Sequence, residues 1–177
     1  MTRSISCTIL SLLAIGLASP LHAADYSDFK VMSGAMCSPY TSSPSVDYSK
    51  LRFRADGVTN ESTGYQYVVC APTRDSETSW GYSDTNASAT YMVFFRANTV
   101  GTNQCTLTVG TTAYGSNTYT KSVAGVVGTT VGMYFYDVKA NFSESPGTLV
   151  CRIAPKHTLS LIEINEISVE TDKRASF

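Results

Sequence analysis

The sequence predicts an all-β protein: an antiparallel two-sheet β-sandwich, jelly-roll-like, of about eight or nine strands, stapled by disulfides. Three observations predict it. Short runs rich in aromatic and β-branched residues recur along the chain, clearest at 65–70, 89–96 and 131–138. Turn-forming Gly, Pro, Asn and Ser clusters separate them at frequent intervals, and no stretch shows a convincing helical period. Four cysteines, Cys37, Cys70, Cys105 and Cys151, lie on or beside such runs.

The elements follow in order. Residues 25–34 carry Phe29 and Val31, enough for a short first strand, and the Ser/Thr/Pro stretch 39–46 reads as loop. Leu51, Phe53 and Ala55 alternate with Arg52, Arg54 and Asp56, the pattern of a half-exposed strand. Gly57 permits a turn before 58–62 continues as strand. Tyr65 to Cys70 is a buried strand stopped by Pro72, and the polar stretch 74–89 is loop by composition. The run 89–96 is the most apolar after the leader and should be central. Gln104 to Gly110 places Cys105, Leu107 and Val109 on one face. Residues 111–128 predict a loosely specified hairpin around Gly115-Ser116-Asn117. In 131–138, Met133 and Phe135 face one way and Tyr134 and Tyr136 the other. A short strand at 148–153 carries Cys151. The segment 158–170 changes its inward face midway, which predicts a bulge or corner near Ile162, with a helix over 161–169 as the competing reading.

The first residues read differently. Arg3, an apolar core from Ile5 to Leu17 and Ser19-Pro20-Leu21-His22-Ala23 have the order of a secretory signal peptide. The expected organisation is therefore a leader over 1–23, one domain over 24–172 and a flexible tail over 173–177. The apolar run is too short for a transmembrane anchor, so the product should be secreted, periplasmic or extracellular. The charge is nearly balanced, 13 Lys and Arg against 14 Asp and Glu, without a basic cluster. That excludes nucleic acid as a natural partner.

Four thiols in an oxidising compartment make two disulfides. Of the three pairings, Cys37 with Cys70 and Cys105 with Cys151 is preferred, because it divides the chain into two successive stapled halves. No Cys-x-x-Cys is present and no His stands at ligand spacing from a Cys, which argues against zinc. The order Met36-Cys37-x-Pro39, Gly57-Val58-Thr59-Asn60, Val69-Cys70-x-Pro72, Cys105-x-Leu107 and Val150-Cys151-Arg152, with a terminal Ile-rich strand, resembles a group of small exported bacterial proteins without an assigned activity. The resemblance supports the fold and the pairing and implies no site.

Candidates for chemistry are few. His157 is the one histidine beyond the leader; it follows Pro155 in a turn, reads as solvent-exposed, and has no Gly-x-Ser-x-Gly near it. No cofactor is expected, although Asp75, Glu77 and Asp84 in the polar loop could hold a structural calcium. Trp80 and Tyr82 in the same loop, with Tyr114 and Tyr119, offer aromatic faces for a sugar ring or partner surface. Asn60, Asn86 and Asn141 each begin an Asn-x-Ser triplet and mark turns. The expected function is a non-catalytic binding module for a glycan or envelope component. The alternatives are a structural subunit of a surface assembly, and a small hydrolase using a carboxylate pair such as Asp75 with Glu77 or Asp84, or Glu163 with Glu166.

Overall fold

The computed structural model describes residues 25–41, 47–72, 88–111, 115–139 and 147–169. Within them the chain forms eleven strands and two single-turn 3-10 helices, with no α-helix. The strands are β1 (Asp25–Ser33), β2 (Ser38–Pro39), β3 (Leu51–Arg54), β4 (Gly57–Asn60), β5 (Gln66–Cys70) and β6 (Ser88–Arg96). They continue with β7 (Gly101–Thr111), β8 (Gly115–Gly125), β9 (Thr130–Val138), β10 (Gly147–Ile153) and β11 (Thr158–Val169). One sheet runs β3-β4-β11-β6-β9, with β1 also paired to β11; the other runs β2-β5-β10-β7-β8. Every pairing is antiparallel. From β4 onward the chain changes sheet at each step except the β7–β8 hairpin, a jelly-roll-like winding. The expected leader at 1–23, the expected tail at 173–177 and residues 74–87 of the expected loop at 74–89 lie outside the described residues, while Ser88 and Ala89 already belong to β6. Among the described residues no helix is long and apolar enough to cross a membrane.

The core forms where the inward faces meet. Tyr91, Val93 and Phe95 of β6, Met133 and Phe135 of β9, and Ile162 and Ile164 of β11 pack against Val68, Leu107, Leu149 and Ile153 of the other sheet. β11 reaches this arrangement through a register shift between Leu159 and Leu161. The irregularity lets Leu159, Ile162 and Ile164 all face inward, which a straight strand would forbid. It sits slightly N-terminal to the expected position, and the segment is strand throughout.

Both disulfides have the preferred pairing, Cys37–Cys70 and Cys105–Cys151, with Cα atoms 4.3 and 4.1 Å apart. Cys105 and Cys151 are register partners on β7 and β10, and Cys37 stands just before Ser38, which pairs with Val69. Both bridges therefore stitch neighbouring strands within one sheet, and neither joins the two sheets.

Several expectations are corrected. The described residues hold eleven strands against the eight or nine expected, among them the two-residue β2 at the edge of an expected loop. Residues 115–125 pair with β7 over eleven consecutive positions, so Gly115-Ser116-Asn117 opens a strand instead of turning a hairpin. Cross-strand hydroxyl contacts help hold that register: Thr106 to Thr120 at 3.1 Å and Thr108 to Thr118 at 3.4 Å. On β3 only Leu51 is buried; Phe53 is 41% exposed at the sheet edge, and Ala55 beyond it is also exposed.

The largest departure is His157, which is fully buried. Its Nε2 donates to the Thr99 carbonyl at 2.8 Å, and its Nδ1 lies 2.9 Å from Asn103 Nδ2. Asn103 Oδ1 accepts the Ala154 N–H at 2.9 Å and also lies 3.2 Å from Nδ1, so the amide meets this edge of the ring with both its atoms. The carbonyl partner of Nε2 places a proton on that nitrogen. Gly101 and Gly125, register partners on β7 and β8, make room for it. A Cβ at 125 would run into the imidazole, and one at 101 would lie 2.7 Å from the Ala154 methyl. Asn60 completes this end of the sandwich, donating through Nδ2 to the carbonyls of Gly64 and Ile153 at 2.8 and 2.9 Å.

Candidate functional site

Strand alternation decides which side chains face water, and the two outer faces differ. The β5-β10-β7-β8 face shows Thr106, Thr108, Thr118, Thr120 and Gln104, a small-polar surface. The outer face of the β1-β11-β6-β9 part of the other sheet is apolar and aromatic. Phe29 and Val31 of β1 are 58% and 62% exposed, and Tyr134 and Tyr136 of β9 are 40% and 63% exposed. Met92 and Phe94 of β6 lie between them, half-buried.

Register arranges these residues in rows across the strands. One row reads Val31, Glu163, Met92, Tyr134. The Tyr134 and Tyr136 rings are parallel within 5°, centroids 5.7 Å apart, and Phe94 meets Tyr134 edge-on at 6.3 Å and 80°. Such geometry suits ring quadrupoles, which favour offset parallel and edge-to-face contacts. Two backbone features accompany it. Ala89 pairs with Val138 and Tyr91 with Phe135, so both Tyr136 and Asp137 oppose the single Thr90. Asp137 takes up the extra residue at φ 51°, in the left-handed region that short polar side chains tolerate. Tyr136 faces outward by simple alternation with Tyr134, and the bulge lets Val138 return to the core beside it.

Gly132 is the second feature. A Cβ there would lie 2.8 Å from Tyr134 Oη and 2.9 Å from its Cε2, so the tyrosine ring rests on the glycine. The clash would be with the far end of a movable side chain, not with backbone. Gly132→Ala is therefore expected to change stability by less than about 1 kcal/mol while displacing Tyr134. Near-UV circular dichroism should change with the melting curve nearly unmoved; an unchanged aromatic spectrum would show that the ring does not depend on that space.

Polar groups border the rings. Asn165 and Glu163 of β11 and Thr90 of β6 share the face. The nearby charges Arg96 and Asp56 are paired with each other at 3.1 Å. On the adjoining edge strands, Glu61 accepts from Arg52 at 3.0 Å and from Arg54 at 3.2 Å. The Arg52 hydrogen bond above all holds the Glu61 carboxyl below the usual carboxylate range.

The structure distributes the sequence-predicted residues unevenly. Trp80, Tyr82, Tyr114, Asp75, Glu77 and Asp84 lie outside the described residues. Tyr119 packs against the core, its hydroxyl accepting the Lys139 N–H at 3.2 Å. Glu163 and Glu166 lie on opposite faces of β11: Glu166 points inward, 1% exposed, and pairs with Lys30 at 3.2 Å. They do not form a carboxylate pair across a common cleft, because a one-residue offset in a strand puts neighbours on opposite faces and an offset of three does the same. Among the described residues no group of three His, Cys, Asp or Glu is placed to hold a metal ion. The sequence alternation put Tyr134 and Tyr136 on one face of β9, opposite Met133 and Phe135, but did not single them out. The signal that would have done so is aromatics on the alternate face of a strand whose other face is already apolar.

No protein-family model matches the sequence, and no curated protein matches it. Among solved structures, the chain is similar to a family 11 carbohydrate-binding module from Clostridium thermocellum in complex with a β-1,3-1,4-mixed-linked tetrasaccharide. The identity is 8%, the match covers 86% of this chain and 91% of that chain, and the TM-score is 0.36. It is also similar to the family 11 carbohydrate-binding module of the cellulosomal cellulase Lic26A-Cel5E of Clostridium thermocellum, at 9% identity, the same coverages and a TM-score of 0.35.

Proposed function

We propose that this protein is an exported, non-catalytic glycan-binding β-sandwich, and that the outer face bearing Phe94, Tyr134 and Tyr136 is its binding surface. One observation carries the reading: two parallel tyrosines, braced edge-on by a phenylalanine, stand in water on a sheet whose opposite face is a complete core. Aromatic faces complement the C–H faces of sugar rings, while tyrosine hydroxyls and the adjacent Asn165 and Thr90 supply hydrogen bonds. The buried His157, engaged at both ring nitrogens, has no free nitrogen to serve as a base toward a substrate at the surface, which favours binding over hydrolysis. Two buried disulfides and the signal-like leader favour an oxidising destination.

The test is calorimetric titration of the oxidised protein with a panel of soluble polysaccharides. Tyr134→Ala and Tyr136→Ala should each weaken the bound member by about 10- to 100-fold, as central aromatic anchors do. The melting temperature of Tyr136→Ala should stay near the parent value, since that side chain is 63% exposed, while Tyr134→Ala, packed on Gly132 and Phe94, should lower it modestly. Trp80→Ala serves as the comparison. Affinity lost there and kept in the tyrosine variants would move the site to the 74–87 loop.

A further inference from the structure

We infer that Asn165 reads a hydroxyl of the bound sugar, and that the ligand is a linear oligosaccharide lying across the strands; this rests on the glycan-binding reading above. Asn165 is the register partner of Phe29 on β1 and of Thr90 on β6, and Thr90 is opposed by Tyr136 at the β9 bulge. A line drawn across the sheet thus meets Phe29, Asn165, Thr90 and Tyr136 in turn. It is aromatic at both ends and polar in the middle.

The Asn165 amide is the unusual member. Its Oδ1 is shut off from water and accepts no hydrogen bond among the described residues. Native proteins rarely leave a buried acceptor unpaired, because the group has given up its water without a replacement. Here the acceptor belongs to an outward-facing residue, between two exposed aromatic rings. The terminal amide torsion is soft, so a modest rotation turns Oδ1 to the open face, where a hydroxyl can donate to it. The sugar hydroxyl supplies the donor that the protein withholds.

Geometry sets the ligand's length. β1 and β9 are separated by three interstrand spacings, about 14 Å in all. A monosaccharide covers one ring and cannot reach the amide and both aromatic ends together. A linear chain laid perpendicular to the strands can rest on Tyr136 and Phe29 and pass its central hydroxyls over Asn165 and Thr90.

The experiment uses the polysaccharide bound by the parent protein, cut into a linear length series from one unit upward. Affinity should climb with length and level off once the chain spans β1 to β9. Asn165→Ala should lose about tenfold in affinity for the longer members, with a melting temperature unchanged or raised, because the unpaired acceptor is gone. Asn165→Asp, which keeps an acceptor, should retain more affinity than Asn165→Ala. If Asn165→Ala binds as tightly as the parent, or affinity does not depend on length, the inference is overturned while the tyrosine platform stands. A lowered melting temperature with unaltered affinity would make Asn165 a structural residue and likewise overturn it. Absence of binding to every glycan by the parent protein would instead remove the function itself.

Discussion

Asn103→Ala is expected to cost the folded domain about 4 kcal/mol, an effect far out of proportion to the size of the side chain. The reason lies in what it leaves behind. Asn103 Oδ1 takes the Ala154 N–H and the amide meets His157 Nδ1, all within a region closed to solvent. Removing the amide strands both of these partners, each worth about 1–3 kcal/mol when buried unpaired. Because Gly101 and Gly125 leave only enough space for the imidazole, the histidine has little freedom to seek another partner. Urea unfolding of the oxidised protein checks this, and a loss below about 1 kcal/mol would mean the site admits water or repacks. A second readout is independent of stability: nitrogen chemical shifts should place the His157 proton on Nε2 in the parent protein.

Replacing Cys105 and Cys151 together by alanine should also destabilise by about 4 kcal/mol in the chain-entropy account. The bridge closes a loop with a sequence separation of 46, against 33 for Cys37–Cys70. Loop-closure entropy grows only logarithmically, so the two bridges should differ little on that account alone. Packing separates them. Cys105 and Cys151 sit in the middle of the β5-β10-β7 sheet at 0% exposure, whereas Cys37 precedes a two-residue edge strand. A Cys105/Cys151 pair costing clearly more than the Cys37/Cys70 pair in reversible unfolding would assign the excess to the cavity. Equal losses would leave entropy as the main contribution, and a loss near zero for Cys105/Cys151 would show that the ladder hydrogen bonds hold the two strands without help.

Much of the architecture was legible because strand alternation and cysteine placement are local signals. The apolar run of β6 and the alternation of β9 each follow from residues close in sequence, the pairing of the thiols from their order along the chain, and the structure has all three. The face change in β11 was legible too, since Leu159 and Ile162 cannot share a face in a straight strand. What sequence could not show depended on distant partners. β8 has little apolar content, and its order comes from β7, whose threonines and Leu107 provide the matching rows. His157 looked exposed because it follows a proline turn; its burial needs Asn103, Thr99 and two glycines from 97–125. The candidate site was half legible. Tyr134 and Tyr136 were read as sharing one face of their strand, opposite Met133 and Phe135, but which face meets the core, and their meeting with Phe94, Phe29 and Asn165, are matters of sheet order, which no local pattern encodes.

The order of strands within the sheets has a consequence for the making of the molecule. β10 is flanked by β5 and β7, and β11 by β4, β1 and β6. The segment 147–169 thus supplies an interior strand to both sheets, and both strands come late in the chain. A growing polypeptide that has reached residue 140 holds strands that can form only isolated hairpins or pairs, with no partner to bring them into a layered whole. Hydrophobic closure must wait for the C-terminal strands, which gives the chain a built-in delay.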